Sequence, residues 1–177
     1  MATRAHAESG ESRAVILVGH GSVSADVPRE LVQRLRVLEV ERRSTGAPAS
    51  KEEQELDHRI RSWPRTAATD PYKAGMDAIA AELRKRVGRV VVAFNEYCAP
   101  SLEDAVGALA GEGVAHVVIV TTMLTPGGVH SEVEIPETIR ALRRLYPGTV
   151  LRYAWPFDLR AVAELLADAC ERPTGPP

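Results

Sequence analysis

Residues 125–136 read TPGGVHSEVEIP. Ahead of them lies a short apolar run, His116 to Met123, in which Val117 to Val120 are all β-branched. Behind them Ile135, Ile139, Leu142 and Leu145 recur at helical spacing. The stretch is the turn of a strand–turn–helix unit. Gly127 and Gly128 let the backbone reverse without a Cβ penalty. His130 falls at the mouth of the turn. Glu132 and Glu134 fall in the first helical turn, where negative charge suits the helix dipole. In a parallel α/β sheet such turns lie on the edge where ligands bind. A histidine there, with Glu134 four residues on, fits a metal ligand with a supporting carboxylate. It fits equally a loop histidine that caps the helix.

The same pattern recurs outward from this turn. Ala14 to Val18, AVILV, is a continuous apolar run of strand length, as expected of a strand buried on both faces. It ends in Gly19-His20-Gly21-Ser22. Arg89 to Phe94, RVVVAF, is a second such strand and leads into Asn95, Glu96, Tyr97 and Cys98. Ser101 then suits a helix N-cap, with Asp104 in the place of the capping-box acid. Leu102, Val106, Leu109 and Ala110 give that helix its inner face, and Gly111 and Gly113 close it. The spacing predicts further helices over 71–87, with the stripe Met76, Ile79, Ala80, Leu83 and Val87, and over 132–146 and 159–170. Thr149 to Trp155 is the fourth strand. Strands alternating with helices define an α/β fold: one domain, a four-stranded parallel sheet flanked by helices.

One segment exceeds what a plain strand-to-helix connection needs. Residues 27–70 carry the stripe Val27, Leu31, Leu35 and Leu38, a loop STGAPAS, and a charged helix over 51–61. This extra helical segment after the first strand is expected to be a lid or an arm against a partner. From Arg29 to Arg65 it holds nine Lys/Arg and seven Asp/Glu, a net +2. That balance suits an acidic substrate, or simply a solvated helix surface. The expected organisation is therefore a flexible tail over 1–12, one α/β domain over 13–170, and a second flexible tail over 171–177.

Composition narrows the function. The 177 residues carry 22 basic and 24 acidic side chains, a formal charge of −2, so nothing calls for nucleic acid or an anionic membrane. No apolar run reaches the roughly 18 residues of a membrane span. Residues 1–13 lack a signal-peptide core. Cys98 and Cys170 give no disulfide framework, and a reducing cytoplasm is expected. Neither GxGxxG nor GxxxxGK[ST] occurs, which weakens a nucleotide-binding reading.

Three potential ligands, His20, Glu96 and His130, follow three successive buried strands. In a parallel sheet those strand ends share one edge. Two imidazoles and a carboxylate, with positions left open, suit a divalent first-row metal that must be held and released. Cys98 is a candidate fourth, softer ligand, although a free cysteine is more often a small buried hydrophobe. His116 starts its strand at the opposite edge and is expected to be structural; His6 and His58 are expected to be solvated.

LVGHGS, AFNEYCAPSLEDA and TPGGVHSEVEIP together resemble the small class II tetrapyrrole chelatases, the sirohydrochlorin cobaltochelatase or CbiX-type family. The three blocks occur in order between about Val15 and Pro136. The family pattern is a GHGS turn, a strand ending in glutamate before a Pro-Ser-Leu helix start, and a glycine-histidine turn running into an acidic-Ile-Pro. Two departures stand out: the acid before Ile-Pro is Glu134 where aspartate is usual, and 27–70 is longer than the compact family pattern. The resemblance implies insertion of a divalent metal ion (Co²⁺, Ni²⁺ or Fe²⁺) into sirohydrochlorin or a related tetrapyrrole, as in cobalamin or siroheme biosynthesis. The metal is then a substrate, and no organic cofactor is implied. It places His20, Glu96 and His130 at the metal as catalytic residues, with Glu134 behind His130. Gly21, Ser22, Tyr97, Met123, Leu124, Gly127 and Gly128 are the expected substrate-binding positions. A flat macrocycle needs walls on both sides, so the second wall is expected from another copy, in a homodimer, or else from the helical segment 27–70. The competing reading is a non-catalytic carrier of metal or tetrapyrrole with the same fold.

Overall fold

The computed structural model describes residues 12–172. Most of the two expected tails, residues 1–11 with His6 and residues 173–177, lies outside the described residues. Ser12 is bound to the fold: its carbonyl accepts the amides of Ala115 and His116, and its hydroxyl donates to the Gly113 carbonyl at 3.1 Å.

In chain order the elements are β1 (Arg13–Gly19), α1 (Arg29–Thr45), α2 (Lys51–Arg61), α3 (Pro71–Val87), β2 (Val90–Phe94), α4 (Leu102–Gly111), β3 (His116–Thr121), a π-helical turn (His130–Glu134), α5 (Ile135–Leu145), β4 (Val150–Tyr153) and α6 (Leu159–Glu171). The four strands pair in parallel in the order β2-β1-β3-β4. The chain leaves β1 for β2 on one side and later returns to β3 on the other. Strand order therefore reverses at β1, and the crevice outside its carboxyl end is where an open α/β sheet binds ligands.

Both faces of β1 are covered, which is why its sequence is apolar without alternation. Val15 and Leu17 pack with Met76 and Ala80 of α3. Ala14, Ile16 and Val18 pack on the other side with Val106 and Leu109 of α4 and Ile139 and Leu142 of α5. Each buried Val, Leu, Ile or Met among them contributes about 1.5–3 kcal/mol by leaving water. On α3 only the row of Met76, Ala80 and Leu83 meets the sheet; Ile79 and Val87, expected in the same stripe, are exposed because they flank that row. Ser101 and Asp104 form the expected capping box, each backbone amide donating to the other's side chain at 3.0–3.1 Å.

The extra segment is a helical hairpin with its own small core. Val27, Leu35 and Ile60 are buried there, with Leu31, Leu56, Trp63 and Tyr97 packed around them. Arg42 Nε donates to the buried Glu53 carboxylate at 2.7 Å, joining α1 to α2. Among the described residues no helix is long and apolar enough to cross a membrane.

Candidate metal centre

His20 follows β1, Glu96 follows β2 and His130 follows β3, and the parallel sheet brings all three to one edge. One ligand atom from each lies within 4.8 Å of the others. Glu96 sits between the imidazoles: Oε2 is 3.9 Å from His20 Nε2, and Oε1 is 3.9 Å from His130 Nε2. The rings meet edge to face, with centroids 4.8 Å apart. First-row ions bind such nitrogen and oxygen atoms at about 2.0–2.2 Å. Two atoms on one ion can thus lie up to about 4.2 Å apart; the 3.9 Å spacings, each to a different Glu96 oxygen, fall inside that reach, and the 4.8 Å spread of the whole group would have to close slightly around an ion.

The tautomers follow from the partners. His130 Nδ1 lies 2.6 Å from Glu134 Oε2 and 2.8 Å from Asn95 Nδ2; an ionised carboxylate only accepts, so the shorter contact, to Glu134, calls for the proton on Nδ1. His20 Nδ1 lies 3.0 Å from the Gly21 carbonyl, which also only accepts. Both rings are thereby left with an Nε2 lone pair, and both lone pairs are on the Glu96 side. Asn95 Nδ2 donates to Glu134 Oε2 at 2.9 Å and fixes the carboxylate behind His130. Burial pushes the Glu134 carboxyl up, but the hydrogen bonds from Asn95 and His130 outweigh it and hold the group below the usual range.

Local sequence sets this geometry. The Glu96 amide donates to the His20 carbonyl at 2.8 Å and the Asn95 amide to the Gly19 carbonyl at 2.9 Å, so the first two turns are joined directly. Gly21 is where they touch. Its φ is +98°, and a Cβ there would fall 1.8 Å from the Glu96 carbonyl oxygen. The third turn is wound as a π-helix: the Ile135 amide donates to the His130 carbonyl, five residues back. Such a wide turn, with α5 continuing from it, sets His130 and Glu134 side by side. Tyr153 of β4 donates its hydroxyl to the Ser131 carbonyl at 3.0 Å and anchors the turn from behind. Burial, then the Glu132 charge, pushes that phenol up to about 12, so it stays a donor.

The other expected positions divide. Ser22 Oγ donates to Asp70 at 2.6 Å and so faces α3 rather than the open edge. Tyr97 packs into the hairpin core with Leu31 and Trp63. Met123 packs partly against the α4–α5 face of the sheet and also lines an apolar groove with Tyr72, Met76 and Ile79. Leu124 is half-buried just beyond it, and Gly127 donates its amide to Glu132 at 2.7 Å. The Gly128 carbonyl accepts from the Glu132 amide at 3.0 Å, bracing the turn. Cys98 is fully buried beside Phe94 and Met76, away from the three ligands, and burial pushes its thiol up. Sequence reasoning gave no role to Asn95, Tyr153, Arg61 or Arg65. Asn95 neighbours Glu96 and was within reach of it; the others act on loops distant in sequence. A cleft of about 240 Å³ opens beside Glu96 and is lined by Arg42, Arg43 and Glu39 of α1. Burial, then the charge of Glu96, pushes the Glu39 carboxyl up.

An open parallel sheet with a two-histidine, one-carboxylate cluster at its switch point defines an α/β protein whose accessible edge carries a group that could hold a metal ion. Residues 67–172 match the CbiX family model, more than half of the chain, and the chain belongs to that family of CbiX-type class II chelatases. The matched span contains Glu96, His130 and Glu134, while His20 lies before it. No curated protein matches the sequence. Among solved structures the chain is similar to a CbiX protein of Marinobacter aquaeolei VT8 whose name assigns it to cobalamin (vitamin B12) biosynthesis. Identity is 19%, the match covers 90% of this chain and 96% of that one, and the TM-score is 0.52, a likeness of fold. It is also similar to SirB from Bacillus subtilis with Fe³⁺ (19% identity, 92% and 48% covered, TM-score 0.46). A third match is the sirohydrochlorin chelatase SirB from Bacillus subtilis subspecies spizizenii in complex with cobalt (20% identity, 89% and 50% covered, TM-score 0.43). The chain spans about half the length of both SirB chains.

Proposed function

We propose that this protein inserts a divalent first-row metal ion, Co²⁺ foremost with Ni²⁺ and Fe²⁺ as alternatives, into sirohydrochlorin or a closely related tetrapyrrole. The observation that carries the reading is the pair of Nε2 lone pairs facing one carboxylate across 3.9 Å at the sheet edge. His20, His130 and Glu96 hold the incoming ion, and Glu134 keeps the His130 Nδ1 proton in place. Insertion exchanges one metal ion for two pyrrole N–H protons. As the ion passes to the ring nitrogens, each imidazole that releases it gains a free Nε2 that can accept one of those protons. The product ring then holds the ion, and the two protons leave through the histidines to water.

The carboxylates around the macrocycle rim suit the arginine-lined cleft beside Glu96, since guanidinium pairs well with carboxylate. A second copy of the chain supplies the opposite wall. α6 favours that arrangement: it buries no residue and exposes Leu159, Leu165 and Leu166. The two free thiols, Cys98 and Cys170, suit a reducing cytoplasm.

Turnover tests the reading. The protein is incubated with sirohydrochlorin and each of Co²⁺, Ni²⁺ and Fe²⁺ while the ring absorbance is followed. Insertion faster than in protein-free controls, lost in His130→Ala, is expected. Tight binding of metal or macrocycle with no rate above the controls would establish a carrier instead.

A further inference from the structure

Arg65 lies between α2 and α3, outside the ligand set, yet its side chain reaches both of the first two site turns. The side chain is 6% exposed and that of its partner Asp70 is fully buried. The two terminal nitrogens use all four of their N–H groups. Nη1 donates to the Asp70 carboxylate and to the Ser22 carbonyl at 2.9 Å. Nη2 donates to the Ile60 carbonyl at 3.2 Å and to the Tyr97 carbonyl. Ser22 is two residues beyond His20, and Tyr97 is the residue after Glu96. Asp70 closes the circuit by accepting the Ser22 hydroxyl at 2.6 Å and the Lys73 amide at 2.9 Å, so it also caps α3.

Two further observations point the same way. Tyr97 has φ of 55°, a left-handed conformation that side-chain-bearing residues rarely adopt, and its carbonyl is the one Arg65 holds. Arg61, four residues earlier, donates to the carbonyls of Asn95 at 2.8 Å and Cys98 at 3.2 Å on either side of it. Both guanidinium groups come from the connection whose length in the sequence suggests a lid or an arm against a partner.

We propose that Arg65 and Asp70 are positioning residues that fix the His20 turn against the Glu96 turn, and thereby set the spacing of the metal ligands. The helical segment is then a brace across the two loops and does not need to open for metal to enter. A planar fork is required, because four carbonyl and carboxylate acceptors surround one side chain; a lysine ammonium offers three donors from a single point. The inference rests on the metal reading given above. It extends that reading to residues that never touch the ion.

The test is Co²⁺ affinity and the Co²⁺ visible spectrum of the full chain, without any macrocycle. Arg65→Lys removes the fork but keeps the charge beside Asp70. Ser22→Ala cuts the Asp70 link to the His20 turn and leaves the buried pair intact, so it decides the matter if Arg65→Lys does not fold. Outer partners of metal ligands typically change affinity by about 10–100-fold. Arg65→Lys is expected within that range and Ser22→Ala near its lower end, each with an altered ligand-field spectrum. Thr149→Val, which removes a buried hydrogen bond to the Val114 carbonyl, is the stability control and should keep wild-type affinity and spectrum. Wild-type affinity and spectrum in folded Arg65→Lys and Ser22→Ala overturn the inference alone. So does an equal loss in Thr149→Val. A wild-type protein that binds no Co²⁺ overturns the metal reading and the inference with it.

Discussion

Glu134 is a carboxylate that would act on a bound metal through His130 rather than by touching the ion. By holding the His130 Nδ1 proton at 2.6 Å, it makes Nε2 the only basic atom of that ring. Glu134→Gln keeps an acceptor but loses the charge and frees the ring to flip. Co²⁺ affinity should then fall about 10–100-fold, with little change in unfolding, as read by titration and by thermal melts. Asp70 gives a pH prediction. Burial raises its carboxyl, but the Ser22 hydroxyl, the Lys73 amide and Arg65 together hold it below the usual carboxylate range. A group depressed in the folded state contributes stability above its unfolded pKa and loses it as pH falls through the folded one. Denaturant unfolding measured between pH 6 and pH 2 should therefore show stability falling below about pH 4, and Asp70→Asn should flatten that limb.

At the scale of elements, the weight falls on the turn after β1. Alanine at Gly21 would place a Cβ 1.8 Å from the Glu96 carbonyl oxygen at a φ of +98°. The backbone conformation alone costs about 1–3 kcal/mol, and the clash forces the two turns apart. Gly21→Ala should lower the unfolding midpoint and weaken Co²⁺ binding together, whereas Gly111→Ala, in open space, should do neither. Much of this level was legible in the sequence. β1 and β2 read as unbroken apolar runs because both their faces are covered. α3 runs over the expected 71–87 because Asp70-Pro71 starts it and Gly88 ends it. The π-turn was not legible: a helical pattern fits 132–146, and a five-residue wide turn leaves no periodic mark in so short a stretch. Nor were Arg61 and Arg65, whose partners are carbonyls. A carbonyl acceptor has no side-chain signature, and loops that meet only after folding leave none in either segment.

For the whole molecule, the sheet order explains why three residues spread from 20 to 130 share one edge. Sequence reading could place them after parallel strands, but that β1 lies between β2 and β3 comes from the pairing itself. The exposed leucines of α6 and the open edge argue for a second copy opposite the site. Light scattering at micromolar concentration should give twice the 19.2 kDa of one chain, and Leu165→Glu with Leu166→Glu should return the monomer. The metal centre is tested most directly by anomalous diffraction from a crystal of the protein grown with Co²⁺. The account predicts one cobalt peak about 2.0–2.2 Å from Nε2 of both His20 and His130, with a Glu96 oxygen completing the set. Cobalt bound through Nδ1, or bound elsewhere with these three side chains free, would contradict it.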